Sequence, residues 1–266
     1  MLKDITLGQY YPTESVIHRL DPRVKLLGTF LFIISLFVND NFIGYIASVL
    51  FLATVIILSK VPFSFMVRGM KAIVVLLLFS VVLNLFLTEG DVLVSFWKLT
   101  ITKQGLYTAV FMALRLSFLI IGSSIMTLTT TPNHLTDGLE KGLGFLKVIK
   151  VPVHEISMMM SIALRFIPIL MEETDKIMKA QMARGADFES KNLIKRIKSL
   201  IPLLVPLFVS AFRRANDLAM AMEARCYKGG EGRTKMKPLK YQGIDFAAYA
   251  IVFVYFASII AIRVIV

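Results

Sequence analysis

Apolar runs separated by short polar breaks organise this chain. Five of them are long enough to enter a bilayer, whose hydrocarbon core of about 30 Å takes about 20 helical residues. They cover residues 26–38, 42–58, 72–87, 106–128 and 246–262. The first is short, and Lys25 at its edge can snorkel to the headgroups. Only Asn39, Asp40 and Asn41 separate it from the second, which predicts a tight helical hairpin. Residues 89–104 read as a loop, with Trp97 suited to a headgroup-level anchor. Two more apolar runs, residues 156–171 and 200–212, lie in an otherwise charged block. The second has 13 residues, which cover only about 20 Å as a helix. If both crossed the membrane, Lys176, Lys179, Arg184, Lys191, Lys195, Arg196 and Lys198 would be exported between them. The pattern instead predicts two long helices with apolar and charged halves, bent by Pro168 in one and by Pro202 and Pro206 in the other.

The expected fold is therefore all-α: a polytopic membrane bundle of about five helices with a cytoplasmic arm. Residues 1–130 form the N-terminal membrane helices, 131–243 the arm, and 244–266 a last membrane helix. Composition supports this, with 56% hydrophobic and only 18% charged residues among 266, against about 25% charged in soluble domains. The opening residues hold no apolar core of a signal peptide, so insertion is expected to rest on the spans themselves. A single cysteine, Cys226, excludes an internal disulfide.

A net charge of +12 raises the question of nucleic acid, and the distribution answers it. With Lys3, the region before the first span, the break between the second and third, and residues 131–243 placed in the cytoplasm, 26 of the 30 basic residues lie inside. That is the positive-inside pattern of a membrane protein, with the N-terminus inside and the C-terminus outside. Lys98, Lys103 and Arg263 fall outside, and Arg115 falls within a span.

The two arm helices end alike. Ile177, Ala180, Ala183 and Arg184 match Leu218, Ala221, Ala224 and Arg225 in type and spacing. Residues at i, i+3 and i+6 share one helix face. The alanines let another backbone approach closely, and the arginine offers a planar fork of donors. Gly185 suits the position just past a helix end. Ala-Arg-Gly at a helix end is also what capping alone produces, with arginine complementing the dipole. The duplication 41 residues apart favours docking into two similar sockets.

These tips resemble the transmembrane T component of energy-coupling factor transporters, whose hallmark is a pair of Ala-Arg-Gly motifs ending cytoplasmic coupling helices. The first stands here as Ala183-Arg184-Gly185 and the second as Ala224-Arg225-Cys226. Ile17-His18-Arg19-Leu20-Asp21-Pro22-Arg23-Val24-Lys25-Leu26 and Leu164-Arg165-Phe166-Ile167-Pro168 look like the family too. One departure is Cys226 where glycine is usual; cysteine enters the left-handed region less readily, so the second tip is expected to end differently or bind less strictly. The resemblance implies two ABC-type ATPase subunits bound through Arg184 and Arg225, and one membrane-embedded substrate-binding S component that takes a vitamin or metal. ATP and Mg would be bound by the ATPases, leaving this chain without a cofactor and without catalysis.

The remaining chemistry is thin. Gly229-Gly230-Glu231-Gly232-Arg233-Thr234-Lys235 lacks the spacing of a phosphate loop and reads as a flexible loop. Arg115 either fixes the bundle through backbone carbonyls, contacts the S component, or snorkels. Glu172, Glu173 and Asp175 are expected to pair with Lys176 and Lys179 on their own helix. His18, His134 and His154 have no ligand spacing, and no metal site is expected. Two other readings stand beside the first: a T component dedicated to cobalt or nickel, and an integral-membrane lipid or prenyl transferase, for which no catalytic set with suitable spacing is found.

Overall fold

A computed structural model describes residues 9–71, 73–96, 99–188, 192–230, 236 and 238–265. Lys3, Ala72, Trp97, Lys98, Lys191 and residues 231–235 lie outside the described residues, as do the side chains of Arg68, Lys71, Lys195 and Arg196. The chain divides into two compact units, Gly8–Gly142 with Leu239–Val266, and Leu143–Pro238.

In the first unit, a short α1 (Val16–Arg19) leads into α2 (Pro22–Val38), α3 (Phe42–Ser59), α4 (Phe63–Lys71) and α5 (Val74–Leu87). Then come strands β1 (Val92–Phe96) and β2 (Leu99–Thr102), α6 (Lys103–Thr129), α7 (Pro132–Gly142) and, near the C-terminus, α10 (Gly243–Ile265). The second unit holds a 3-10 turn (Gly144–Ile149), α8 (Val153–Ala183) and α9 (Leu193–Ala224). All five expected spans are helical. Both proline-bearing runs also belong to long helices, and each stays continuous α-helix through its prolines.

Two features depart from the sequence reading. Residues 89–104 are not a plain loop, because β1 and β2 pair antiparallel with Phe96 opposite Leu99 and a bulge between Val92 and Val94. The β-branched Val92, Val94, Thr100, Ile101 and Thr102 favour that extended pairing. By length and composition, α3, α6, α10 and also α8 can cross a membrane, whereas α2 and α5, with 17 and 14 residues, are shorter than a full span. The expected long helix with an apolar and a charged half is present, at 31 residues; the departure is that its apolar part is long enough for a span.

Local chemistry sets the helix boundaries. Asp21 caps α2 by accepting the Arg23 backbone N–H, with Pro22 in the first turn. Thr102 caps α6 by accepting from the Gly105 N–H at 3.0 Å. Packing places α7 on α2, where a Cβ on Gly138 would come within 2.9 Å of Pro22.

The core of this unit joins α2, α3, α4, α6 and α10 through Phe32, Leu36, Leu52, Met66, Ile121, Ile125, Leu128, Tyr255 and Ile259. Helix α6 approaches α2 at Gly122, where any Cβ would lie 2.6 Å from the Phe32 ring; a larger residue there would force the helices apart. Tyr255 stacks on Phe51 at 4.2 Å between centroids. Its hydroxyl sits between those of Ser35 and Ser48, at 2.8 and 2.9 Å. The two serines also donate to the Phe32 and Gly44 carbonyls, so three hydroxyl protons serve four contacts and one is shared. Tyr255→Phe should therefore cost only about 1 kcal/mol, read as a small drop in the thermal midpoint of the purified protein.

Candidate functional site

The two sequence-matched tips end in the same backbone geometry. In α8 the Gly185 N–H donates to the Met182 carbonyl and the Ala186 N–H reaches back to Gln181, both at 3.0 Å. In α9 the Cys226 N–H donates to Glu223 at 2.8 Å and the Tyr227 N–H to Met222 at 3.0 Å. Each is a Schellman cap, with the arginine as the last half-helical residue and the next residue left-handed. Gly185 has φ +88 and Cys226 φ +56.

The expectation that Cys226 would end the second tip differently is therefore wrong in geometry. The backbone adopts the glycine-type turn despite the side chain. The cost is steric, of the order of 1 kcal/mol for a non-glycine residue in that region. Nothing lies within 4 Å of a Cβ built on Gly185, so the turn of the first tip is open to solvent space as well. Cys226→Gly should stabilise the chain by roughly 0.5–1 kcal/mol, measured by thermal unfolding, and leave the helix end where it is.

Ala180, Ala183, Arg184, Ala221, Ala224, Arg225 and Cys226 are all exposed, while Ile177 and Leu218 are half-buried. Each tip thus presents a small-residue face with an arginine at its end. Among the described residues, neither Arg184 nor Arg225 has an ion-pair partner within the chain.

The helices that carry the tips meet further back. Arg214 of α9 donates to Glu173 of α8 at 3.2 Å, which corrects the expected pairing of Glu173 along its own helix. Beside this bridge lies a groove of about 300 Å³, lined by Ile162, Phe166 and Leu170 of α8 and by Ala215, Leu218 and Met222 of α9, among others. Beyond Arg214, α9 therefore runs back alongside the earlier part of α8. The two tips leave the crossing on opposite sides.

Arg115 lies in the other unit. Its guanidinium donates to the Asn39 carbonyl and the Tyr45 hydroxyl at 3.2 Å, and to Asp40 at 3.3 Å. It ties α6 to the α2–α3 turn, and Arg263 approaches the same Asp40 at 4.0 Å.

The family-like stretch from Ile17 to Leu26 has a visible structural task at the opposite end of this bundle. Asp21 holds the Arg23 guanidinium through two 2.9 Å bonds, and Arg23 lies 3.7 Å over the Tyr241 ring. Burial pushes the Asp21 carboxyl up, but the hydrogen bonds from Arg23 outweigh it and hold it below its ordinary range. Lys25 donates to the Thr129 carbonyl at 2.9 Å and to that of His18 at 3.2 Å, so it caps the end of α6.

Asp245 joins this junction and was not singled out from the sequence. It is 2% exposed, and its two oxygens accept the backbone N–H of Asp21 at 2.8 Å and of Gln242 at 2.7 Å. The second bond is the returning half of a capping box. The residue that caps in that pattern is Ser or Thr; Gln242 stands there instead, which hid the signal.

A bundle of membrane-crossing helices joined in one chain to a crossed pair of long helices defines a polytopic membrane protein. Known proteins place it further. Residues 13–236 match the family described as cobalt transport protein, CbiQ. A protein of Clostridium kluyveri named energy-coupling factor transporter transmembrane protein EcfT is 58% identical over 250 residues, covering 93% of each chain. Proteins of the same name from Bacillus subtilis and Lactococcus lactis are 50% and 49% identical, covering 92% of this chain. The chain belongs to this family of energy-coupling factor transporter transmembrane subunits.

Proposed function

We propose that the chain transmits the closing of two partner ABC-type ATPases, through Arg184 and Arg225, to a membrane-embedded S component that binds a vitamin or other micronutrient. The observation that carries this reading is the pair of exposed, identically capped tips on opposite sides of one helix crossing. Two like sockets would each receive a small-residue face and a guanidinium free to bond carbonyls or carboxylates. ATP and Mg would be bound and ATP hydrolysed in the partners. The distribution of basic residues supports a cytoplasmic N-terminus and an external C-terminus, with residues 131–243 facing the ATPases.

A second reading keeps the mechanism and changes the cargo. The family description names cobalt transport, which favours a subunit dedicated to cobalt or nickel. Uptake by cells carrying this chain and its co-purifying membrane partner, assayed with vitamins and with radioactive cobalt, separates the two.

The direct test is co-purification in mild detergent. The intact chain should bring down two ATPase subunits and one small membrane protein. The Arg184→Ala, Arg225→Ala double variant should lose the ATPases. Full retention of them would remove the tips from the coupling route.

A further inference from the structure

Glu173 and Arg214 hold matching places in the two arm helices. Glu173 precedes Arg184 by 11 residues, and Arg214 precedes Arg225 by the same number. Eleven residues make about three turns and about 16 Å of helix, so each member of the pair lies nearly on its own arginine's face. The ion pair at 3.2 Å therefore joins the helices at equal distance from both tips. Because the tips leave on opposite sides, an approximate two-fold axis through this bridge exchanges Glu173 with Arg214 and Arg184 with Arg225. The identical caps extend the relation to the helix ends.

We propose that the Glu173–Arg214 ion pair is the pivot of the arm: it fixes where α8 and α9 cross, and so sets the separation of the two tips. The inference rests on the coupling role proposed for the tips. The surroundings of the bridge explain why a charged pair is suited to this task. On the α9 side of the crossing Ala211, Ala215 and Ala219 line the groove together with Leu218 and Met222, and the α8 side offers Phe166 and Leu170. Such apolar contacts are non-directional, and the three alanines add little interlocking, so they give adhesion more than registry. A bond between two charges has a defined length and partner, and so it distinguishes this register from one shifted by a turn. The side chains are 28% and 37% exposed, so water screens the attraction. The bridge accordingly contributes position more than stability, and lets the crossing angle change while the contact point is kept. Both residues are positioning residues, acting through Arg184 and Arg225.

The test uses a spin label on the natural Cys226 and a second on Lys179→Cys, near the other tip. Distances are measured on the full chain in detergent, and uptake is measured in cells with unlabelled variants. The parent should give one narrow distance distribution. Glu173→Arg and Arg214→Glu should each broaden or shift it and reduce uptake about tenfold, and the exchanged pair Glu173→Arg, Arg214→Glu should recover both, as expected of directly coupled positions. Glu173→Gln and Arg214→Gln provide the milder series should a reversed charge prevent folding; each should broaden the distribution without a repulsive shift. An unchanged distance in the single variants, or a folded exchanged pair that fails to recover the parent distance, overturns the pivot. If the distances follow the pattern while uptake stays constant throughout, the pivot stands and the coupling role of the tips falls.

Discussion

Replacing both Arg184 and Arg225 with alanine is expected to abolish uptake while leaving the purified chain as stable as the parent. The two halves of this expectation come from different features. Stability is spared because both side chains are exposed and, among the described residues, neither is ion-paired within the chain. The caps that end α8 and α9 use backbone groups alone, so truncation past Cβ leaves them intact. Uptake is lost because a buried arginine at the centre of a protein interface commonly costs about 2 kcal/mol or more when truncated, roughly thirty-fold in affinity. Two independent sockets would lose about a thousandfold together. The matching caps add a finer expectation, that the two single variants weaken ATPase binding to within about threefold of one another. Titrating each variant with the purified ATPase pair measures this directly. An intact affinity in the double variant would show that the partners hold another surface.

The second large effect is expected at Asp245. Asp245→Ala should destabilise the membrane unit by about 3 kcal/mol, since it strands the buried backbone N–H of Asp21 and the part-buried one of Gln242, both of which now bond a charged acceptor. In a chain of this size that corresponds to a fall of roughly 6–12 °C in the thermal midpoint. Asp245→Asn should lie between, because an amide has one acceptor oxygen for two donors. The measurement is thermal unfolding of detergent-purified protein. An Ala variant within 1 °C or so of the parent would mean that water replaces the carboxylate and that the junction is not sealed. The Arg23 pair offers a built-in comparison: it is shielded on one side by Tyr241 but, among the described residues, its side chain bonds only Asp21 beside it, so its loss should cost less.

What the sequence disclosed was whatever is written locally. The five hydrophobic runs were legible because the bilayer demands a fixed length of apolar helix, and all five are helical. Both tips were legible for the same reason, each needing only a few consecutive residues. The β1–β2 hairpin was hidden by its setting: alternating β-branched residues were present, but among charged and aromatic neighbours between two membrane runs. The long α8 with its charged half was legible too; what the order of residues understated is that its apolar part is long enough for a span. Glu173 was assigned to its own helix, since nothing in the order of residues reports a helix crossing 41 positions later. The left-handed turn at Cys226 shows a different limit. The residue type argued against it, and the remaining hydrogen bonds of the cap outweighed that preference.

Asp245 also bears on how the protein comes into being. The residue that completes the start of α2 is 224 positions away and is made that many residues later. At about 5–20 residues per second, the backbone N–H of Asp21 waits roughly 10–45 s after its own synthesis for its acceptor. Until then the first membrane helix has its own cap but no lock on the neighbouring α10, and the bundle stands open on that side. A ribosome that stalls or terminates before residue 245 therefore releases a chain whose earlier helices are all present and whose closure cannot occur, a natural substrate for quality-control proteases.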